Sequence, residues 1–190
     1  RRYPDRAALI FFGRVFTYRE LRDSSERLAA RLYALGVCKG DRVLLDMQNC
    51  PQLVIAHFGI LRANAVVVPV NPMNRAEELK HYILDPDAKV AITTSDLAPE
   101  LARASNELPV GQGLRHLVVS HFTDAFDPDS PQADPLPQAW RAWLLPRHEL
   151  PSLAGGTAST WDDALGGNAP PPPLDVGPDD LAVLPYTSGT

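Results

Sequence analysis

One stretch of this chain decides its fold: residues 42–70 read RVLLDMQNCPQLVIAHFGILRANAVVVPV. Its first six residues form a short, mostly apolar run, which is typical of a buried strand. Pro51 suits the first turn of a helix, because no amide donor is needed there. Asn49 is placed to cap that helix, which we predict to extend to about Asn64. The last six residues are rich in valine and predict a second buried strand of the kind found in parallel sheets. The stretch therefore predicts a strand, a helix and a parallel strand.

The residues before this unit predict a hairpin and a helix. Short apolar runs on either side of Gly13-Arg14 indicate two strands joined by a tight turn, in which the glycine supplies a positive φ. Thr17 and Glu20 have the spacing of a capping box, in which each side chain accepts a hydrogen bond from the other residue's backbone amide. Leucines follow at helical spacing, and Gly36 stands where a left-handed C-terminal cap is needed. We therefore predict a long helix that begins directly after Thr17.

The alternation of elements continues after residue 70. Helical patterns at Arg75–Leu84 and Pro99–Asn106 are each followed by an extended apolar pattern, at Lys89–Thr93 and Leu117–Ser120. Such alternation with short connections favours a largely parallel sheet that is flanked by helices and joined through right-handed crossovers. The predicted fold class is α/β, with a small N-terminal β-hairpin. A chain of 190 residues, 45% of them hydrophobic, is long enough for one domain with its own core.

The pattern fails over residues 123–178, which we predict to be an irregular, proline-rich excursion and linker. Six prolines between residues 128 and 151 interrupt every candidate element. Trp140 and Trp143 are spaced to lie on one face of a short helix, and we interpret them as a packing anchor.

Regular structure is expected again towards the end of the chain. Thr160–Leu165 predicts a helical turn, and the four prolines at Pro170–Pro173 predict a stiff, extended spacer. The segment Asp180–Pro185 is the predicted last strand.

Charge and cysteine content exclude several classes of function. The formal net charge is −5 and no basic run is present, so a nucleic-acid-binding surface is not indicated. Cys38 and Cys50 are too few for a disulfide framework and lack the spacing of a zinc site. The longest apolar stretch, residues 53–70, is interrupted by polar residues and a proline, so no transmembrane helix is predicted. The first residues do not contain the apolar core of a secretory signal. Whether a leader has been removed before Arg1 stays open.

The last five residues, Tyr186-Thr187-Ser188-Gly189-Thr190, form the candidate binding segment. Gly189 lets the backbone approach an anion closely, and Thr187, Ser188 and Thr190 offer hydroxyl donors. Hydrogen bonds to charged groups contribute about 1.5–3 kcal/mol each, so several convergent donors suit a polyphosphate. Taken alone, such a segment is also typical of a plain turn, and both interpretations stay open at this point.

Three segments occur in the order and spacing of the first three core motifs of adenylate-forming enzymes. They are Phe16–Leu21, Leu61–Pro72 and Leu184–Thr190. The chain therefore resembles, over nearly its whole length, the superfamily of acyl-CoA synthetases, luciferases and peptide-synthetase adenylation domains. The segments Met47–Pro51 and Val70–Leu79 look most like those of long-chain fatty-acid-CoA ligases.

The resemblance implies a two-step reaction for the intact protein. A fatty or related carboxylic acid and MgATP give acyl-AMP and pyrophosphate, and the thiol of CoA then displaces AMP. ATP, Mg²⁺ and CoA are the implied cofactors. By motif position, Thr187, Ser188, Gly189 and Thr190 would bind the ATP phosphates, and no metal ligand is identified among the residues present.

The end of the chain departs from the family pattern. The phosphate loop of the family continues with Thr-Gly-x-Pro-Lys-Gly, and further catalytic groups follow it. We therefore expect residues 1–190 to be the N-terminal portion of an adenylation domain, truncated within the phosphate-binding loop and inactive alone. The resemblance implies a cytoplasmic protein. It leaves open whether the protein contacts a membrane peripherally, which acyl chain length it uses and which oligomeric state it adopts. A peptide-synthetase or luciferase-like enzyme and a non-catalytic scaffold are the alternatives.

Several other residues that attract attention are predicted to be structural. Thr17 and Glu20 lie in the first motif, but we assign them to helix capping. His57 and His81 are predicted packing residues, because neither has a partner at the spacing of a triad or a metal site. The neighbours Glu77-Glu78 diverge on a helix and cannot form an acid/base dyad.

Overall fold

The fold is seen in a computed structural model that describes residues 2–126, 128–129, 131 and 134–187. The elements in chain order are β1 (Ala7–Phe11), β2 (Arg14–Thr17), α1 (Tyr18–Ala34), β3 (Arg42–Asp46), α2 (Pro51–Arg62), β4 (Val66–Val70), α3 (Ala76–Leu84), β5 (Val90–Thr94), α4 (Ala98–Asn106), β6 (His116–Ser120), α5 (Gln138–Leu144), β7 (Thr157–Thr160) and α6 (Trp161–Leu165). A single 3₁₀ turn at Phe122–Ala125 follows β6.

The hairpin and the first helix form where their sequence predicts, but the hairpin turn lies one residue earlier than expected, at Phe12-Gly13 instead of Gly13-Arg14. β1 and β2 pair in antiparallel fashion, and the turn between them has positive φ at both Phe12 (44°) and Gly13 (79°), as a two-residue hairpin turn requires. The capping box of α1 is formed, with the Glu20 amide donating to Thr17 Oγ1 at 3.2 Å and the Thr17 amide donating to Glu20 Oε2 at 2.7 Å. That second bond lowers the pKa of the Glu20 carboxyl. Gly36 has the expected positive φ, 88°.

The main sheet confirms the predicted α/β class. Its strand order is β4-β3-β5-β6-β7 and every pairing within it is parallel. The chain enters at β3, passes to β4 on one side and then crosses to β5 on the other. The carboxyl ends of β3 and β5 therefore flank a topological switch point, the position at which open α/β sheets bind ligands.

Helices cover both faces of this sheet because its strands are apolar on both sides. α1, α2 and α6 pack on one face, where Leu28, Ile60 and Trp161 are buried in one core cluster. α3 and α4 pack on the other face, where Leu79 and Leu101 are buried. We call the second group the α3/α4 layer.

A smaller aromatic cluster joins the hairpin to the proline-rich region. Phe12 stacks on Phe126 with ring centroids 5.3 Å apart and contacts Trp140 edge to face at 6.4 Å. Trp143 contacts Phe122 at 6.3 Å. The two tryptophans lie on α5 and pack as the sequence predicts, although each remains more than two-fifths exposed.

The predictions for the stretch around β7 and for the N-cap of α2 were incomplete or wrong. The strand β7 lies inside the stretch 123–178, and the sequence missed it because Thr-Ala-Ser-Thr contains no apolar run; its edge position leaves it partly exposed. The helical turn after it, α6, was predicted. The N-cap of α2 is Cys50 and not Asn49, and the Cys50 side chain makes no capping hydrogen bond. Pro51 at the first position of the helix removes one of the amides that a cap would satisfy.

Cys38 is exposed, Cys50 is buried, and the two are unpaired. Burial raises the pKa of the Cys50 thiol to about 11. Within the described ranges, no helix is both long enough and apolar enough to cross a membrane.

Candidate functional site

The segment that leads into the candidate phosphate loop lies beside the edge strand β4. The amide of Val67 donates to the carbonyl of Ala182 at 3.0 Å, and the amide of Leu184 donates to the carbonyl of Val67 at 2.8 Å. These bonds form one parallel bridge, between Val67 and Val183. The second and third sequence motifs therefore meet at this point.

The predicted strand Asp180–Pro185 is wrong in extent, since the described residues pair with it only at this bridge. Asp180 belongs instead to a turn, in which its carboxylate accepts a hydrogen bond from the Gly177 amide at 2.7 Å and pairs with Lys39 at 3.1 Å. Pro185 at the other end has no amide to donate to a neighbouring strand.

The proline-rich spacer is fastened to the end of α2 by two side chains. Asn64 donates from Nδ2 to the carbonyl of Pro173 at 2.9 Å and accepts at Oδ1 from the amide of Asp175 at 2.9 Å. Arg62 donates to the carbonyl of Pro172 at 2.6 Å. Asn64 makes these contacts from a left-handed backbone conformation, φ 63°. These bonds direct the spacer towards β4.

Replacing Asn64 tests this fastening. We expect Asn64→Gly to cost about 1–2 kcal/mol, because glycine keeps the left-handed backbone but loses two hydrogen bonds. Asn64→Ala is expected to cost about 1 kcal/mol more, because alanine disfavours positive φ. Urea unfolding measures both changes. If Asn64→Gly unfolds like the wild-type protein, the side chain does not fasten the spacer.

Of the predicted binding residues, Thr187 is exposed, and Ser188, Gly189 and Thr190 lie outside the described residues. Tyr186, directly before them, is partly buried against the α3/α4 layer. Its hydroxyl donates to Asp85 Oδ2, and its ring lies 4.8 Å from that of Tyr82 and 5.5 Å from that of His81. Burial and the bond to Asp85 raise the pKa of Tyr186 to about 12, so the hydroxyl keeps its proton at neutral pH.

The first sequence motif is not part of this site. Thr17 and Glu20 cap α1, as predicted, and α1 packs on the face of the sheet opposite to the α3/α4 layer.

The charged residues of α3 have separate structural partners. Glu77 pairs with Lys80 at 2.8 Å, whereas Glu78 accepts a hydrogen bond from the Arg75 amide at 2.6 Å. The two carboxylates therefore diverge, as predicted. His57 on α2 is partly buried beside Phe58, with ring centroids 5.4 Å apart.

The described residues differ in how well they fit the implied cofactors. They contain no group of three or more His, Cys, Asp or Glu side chains arranged to hold a metal ion, so this part of the chain offers Mg²⁺ no carboxylate cluster. The exposed hydroxyl of Thr187 does fit a phosphate oxygen.

A buried carboxyl group at the switch point was missed by sequence reasoning. Asp46 ends β3, is 2% exposed, and its Oδ1 has no hydrogen-bond partner among the described residues. Its register partner on β5 is Thr93, whose hydroxyl is also buried without a partner there. Burial, with a smaller effect of Asp96, raises the pKa of Asp46 to about 7. The signal in the sequence was a lone acid in the apolar run Val43–Met47.

Known proteins resemble all or part of the chain. A long-chain-fatty-acid–CoA ligase of Escherichia coli is 32% identical over 190 residues, which is all of this chain and 33% of that protein. Tyrocidine synthase 3 of Brevibacillus parabrevis is 38% identical over 106 residues, which is 56% of this chain and 2% of that protein. The crystal structure of a benzoate CoA ligase from Burkholderia xenovorans LB400 superposes with a TM-score of 0.67 at 22% identity and covers 96% of this chain and 29% of that one.

The chain spans about a third of the length of the fatty-acid ligases that it matches. The sequence model of one family, described as AMP-binding enzyme, matches residues 1–190. Because this match extends over all 190 residues, the chain belongs to the AMP-binding enzymes.

Proposed function

We propose that this chain is part of an ATP-dependent acyl-CoA ligase. The enzyme activates a fatty or related carboxylic acid as acyl-AMP and transfers the acyl group to CoA. The observation that carries the proposal is the identity of 32% to a long-chain-fatty-acid–CoA ligase along all 190 residues. The contact between the second and third motifs at Val67 supports it, because the candidate loop then leaves the sheet from a defined position.

The proposed task of this part of the chain is to bind the ATP phosphates. Thr187, Ser188 and Thr190 supply hydroxyl donors, and Gly189 lets the backbone approach the phosphate oxygens. Donors that are already positioned stabilise the charge that develops on the transferred phosphoryl group and on the pyrophosphate that leaves. Mg²⁺, when bound with ATP, neutralises part of the same charge.

Replacing Thr187 tests this assignment in the full-length protein. We expect Thr187→Ala to raise the KM for MgATP about ten- to a hundredfold, because one hydrogen bond to a charged phosphate oxygen is lost. Thr187→Ser keeps the hydroxyl and is the matched control, with a KM near that of the wild-type enzyme. ATP-dependent acyl-AMP formation is the measurement. Equal ATP kinetics for the alanine variant and the wild type would refute the role of Thr187.

A second candidate is an adenylate-forming enzyme with a different acceptor. The match to a stretch of tyrocidine synthase 3 favours it. The two candidates are distinguished by offering CoA and a phosphopantetheinyl carrier protein to the enzyme after it has formed the adenylate. Thioester formation with CoA supports the ligase. Transfer of the acyl group to the carrier protein alone supports the alternative. If no carboxylic acid gives an adenylate, the protein is a non-catalytic scaffold.

A further inference from the structure

We infer that Asp85 and Tyr82 are positioning residues that hold Tyr186, and through it the start of the candidate phosphate loop, against the end of α3. The inference rests on the proposed function. It adds a device for orienting the loop that none of the three sequence motifs contains.

The geometry places both residues on one side of Tyr186. The Tyr186 hydroxyl donates to Asp85 Oδ2 across 101 residues of sequence, and the Tyr186 ring lies tilted at 55° against Tyr82 with centroids 4.8 Å apart. The ring of His81 contacts the Tyr186 ring edge to face, with the ring centroids 5.5 Å apart. Residues 81, 82 and 85 share one side of the helix end, because positions three and four apart are neighbours on a helix. The tyrosine is therefore fixed in both position and direction.

Among the described residues, few other contacts hold the chain next to Tyr186. Upstream of Tyr186, the bridge at Val67 ties down residues 182–184. Thr187 is the next residue along and is exposed. Fixing the Tyr186 side chain restricts the backbone from which Thr187 projects, and such preorganisation lowers the ordering cost of binding a ligand.

Asp85 is poorly placed to serve α3 itself. It is the C-cap of the helix and is exposed. A carboxylate at this end meets the negative end of the helix dipole, so its charge is unfavourable for the helix. Removing it is expected to leave the helix unchanged or more stable, whereas the loop is expected to lose order. These opposite effects separate a positioning role from a structural one.

The test compares Asp85→Ala, Asp85→Asn and Tyr186→Phe in the full-length protein. We expect Asp85→Ala and Tyr186→Phe to raise the KM for MgATP about three- to tenfold, with the KM for the carboxylic acid changed less than about twofold. Asp85→Asn keeps an acceptor oxygen and should restore most of the ATP affinity. Combining Asp85→Ala with Tyr186→Phe should add little to either change alone, since both remove the same bond. Glu77→Gln, on the exposed side of the same helix, is the matched control.

Amide hydrogen exchange over residues 182–187 gives a second readout that needs no activity. Faster exchange of this segment in Asp85→Ala, with an unchanged melting temperature, supports the anchoring. Unchanged exchange overturns it, as does an equal rise in both KM values. If the wild-type protein uses no ATP, the proposed function fails, and the exchange experiment still decides whether Asp85 anchors Tyr186.

Discussion

At pH 8, Asp46→Asn is expected to stabilise the protein by about 2–4 kcal/mol, and at pH 4 by almost nothing. Asp46 is 2% exposed, and its Oδ1 has no partner among the described residues. A buried carboxylate that is not paired is costly, whereas an amide of the same shape carries no charge.

The sign of the pH dependence follows from the direction of the pKa shift. Folding raises the pKa of Asp46 from 3.8 to about 7. Between these values the folded chain keeps the proton that the unfolded chain has released. The stability of the wild-type protein is therefore complete below about pH 4, falls as the pH rises towards 7 and levels off above it. The Asp46→Asn variant should not show this fall in stability with pH.

Urea unfolding from pH 4 to 8.5 measures the difference between the two proteins. Asp96→Asn is an informative companion, because removing this nearby charge lowers the pKa of Asp46 and should move the fall in stability to lower pH. Asp162→Asn, at an exposed position, is the matched control. A constant free-energy difference between Asp46→Asn and wild type at every pH contradicts the prediction.

The second large effect is expected from Gly156→Ala, which should destabilise the protein by about 2–3 kcal/mol. A methyl group at this position would lie 2.7 Å from the carbonyl oxygen of Arg115 and 2.8 Å from that of Leu114. Both contacts are with backbone, so no rotamer change relieves them. The chain must move away just where β7 joins β6, since the Thr157 amide donates to the Arg115 carbonyl at 2.9 Å.

Displacement of β7 is also expected to loosen α6, which places Trp161 in the core at 4% exposure. We expect a lower urea midpoint and a red shift of tryptophan fluorescence from Trp161. Gly167→Ala is the matched control, because a methyl group there has no neighbour within 4 Å. If the two variants unfold alike, the close approach at Gly156 does not constrain β7.

Local patterns predicted most of the fold. The valine-rich strand at 65–70, the proline that starts α2 and the capping box of Thr17 and Glu20 were each confirmed in place. These features depend on residues within a few positions of one another, so a sequence displays them directly. β7 was missed for the opposite reason, because Thr-Ala-Ser-Thr forms a strand only where β6 is already present to pair with it.

The candidate site divides in the same way. The residue types of Tyr186–Thr190 made it a candidate binding segment, and two upstream motifs predicted that it is a phosphate loop. The residues that lead into this segment are attached at Asn64 and Val67, and Tyr186 itself at Asp85; each attachment joins residues that are about a hundred positions apart, and no local pattern predicts such pairs.

The sequence by itself determined the α/β class, the family resemblance and the chemistry offered by the last five residues, because periodicity, capping and residue type are local properties. The tertiary structure alone decided the strand order, the burial of Asp46 beside Thr93, and the contact that sets Tyr186 against α3. These depend on which distant segments pack together and on which polar atoms lose water when they do. Burial and pairing are properties of the folded chain, and they decide what its ionisable groups can do.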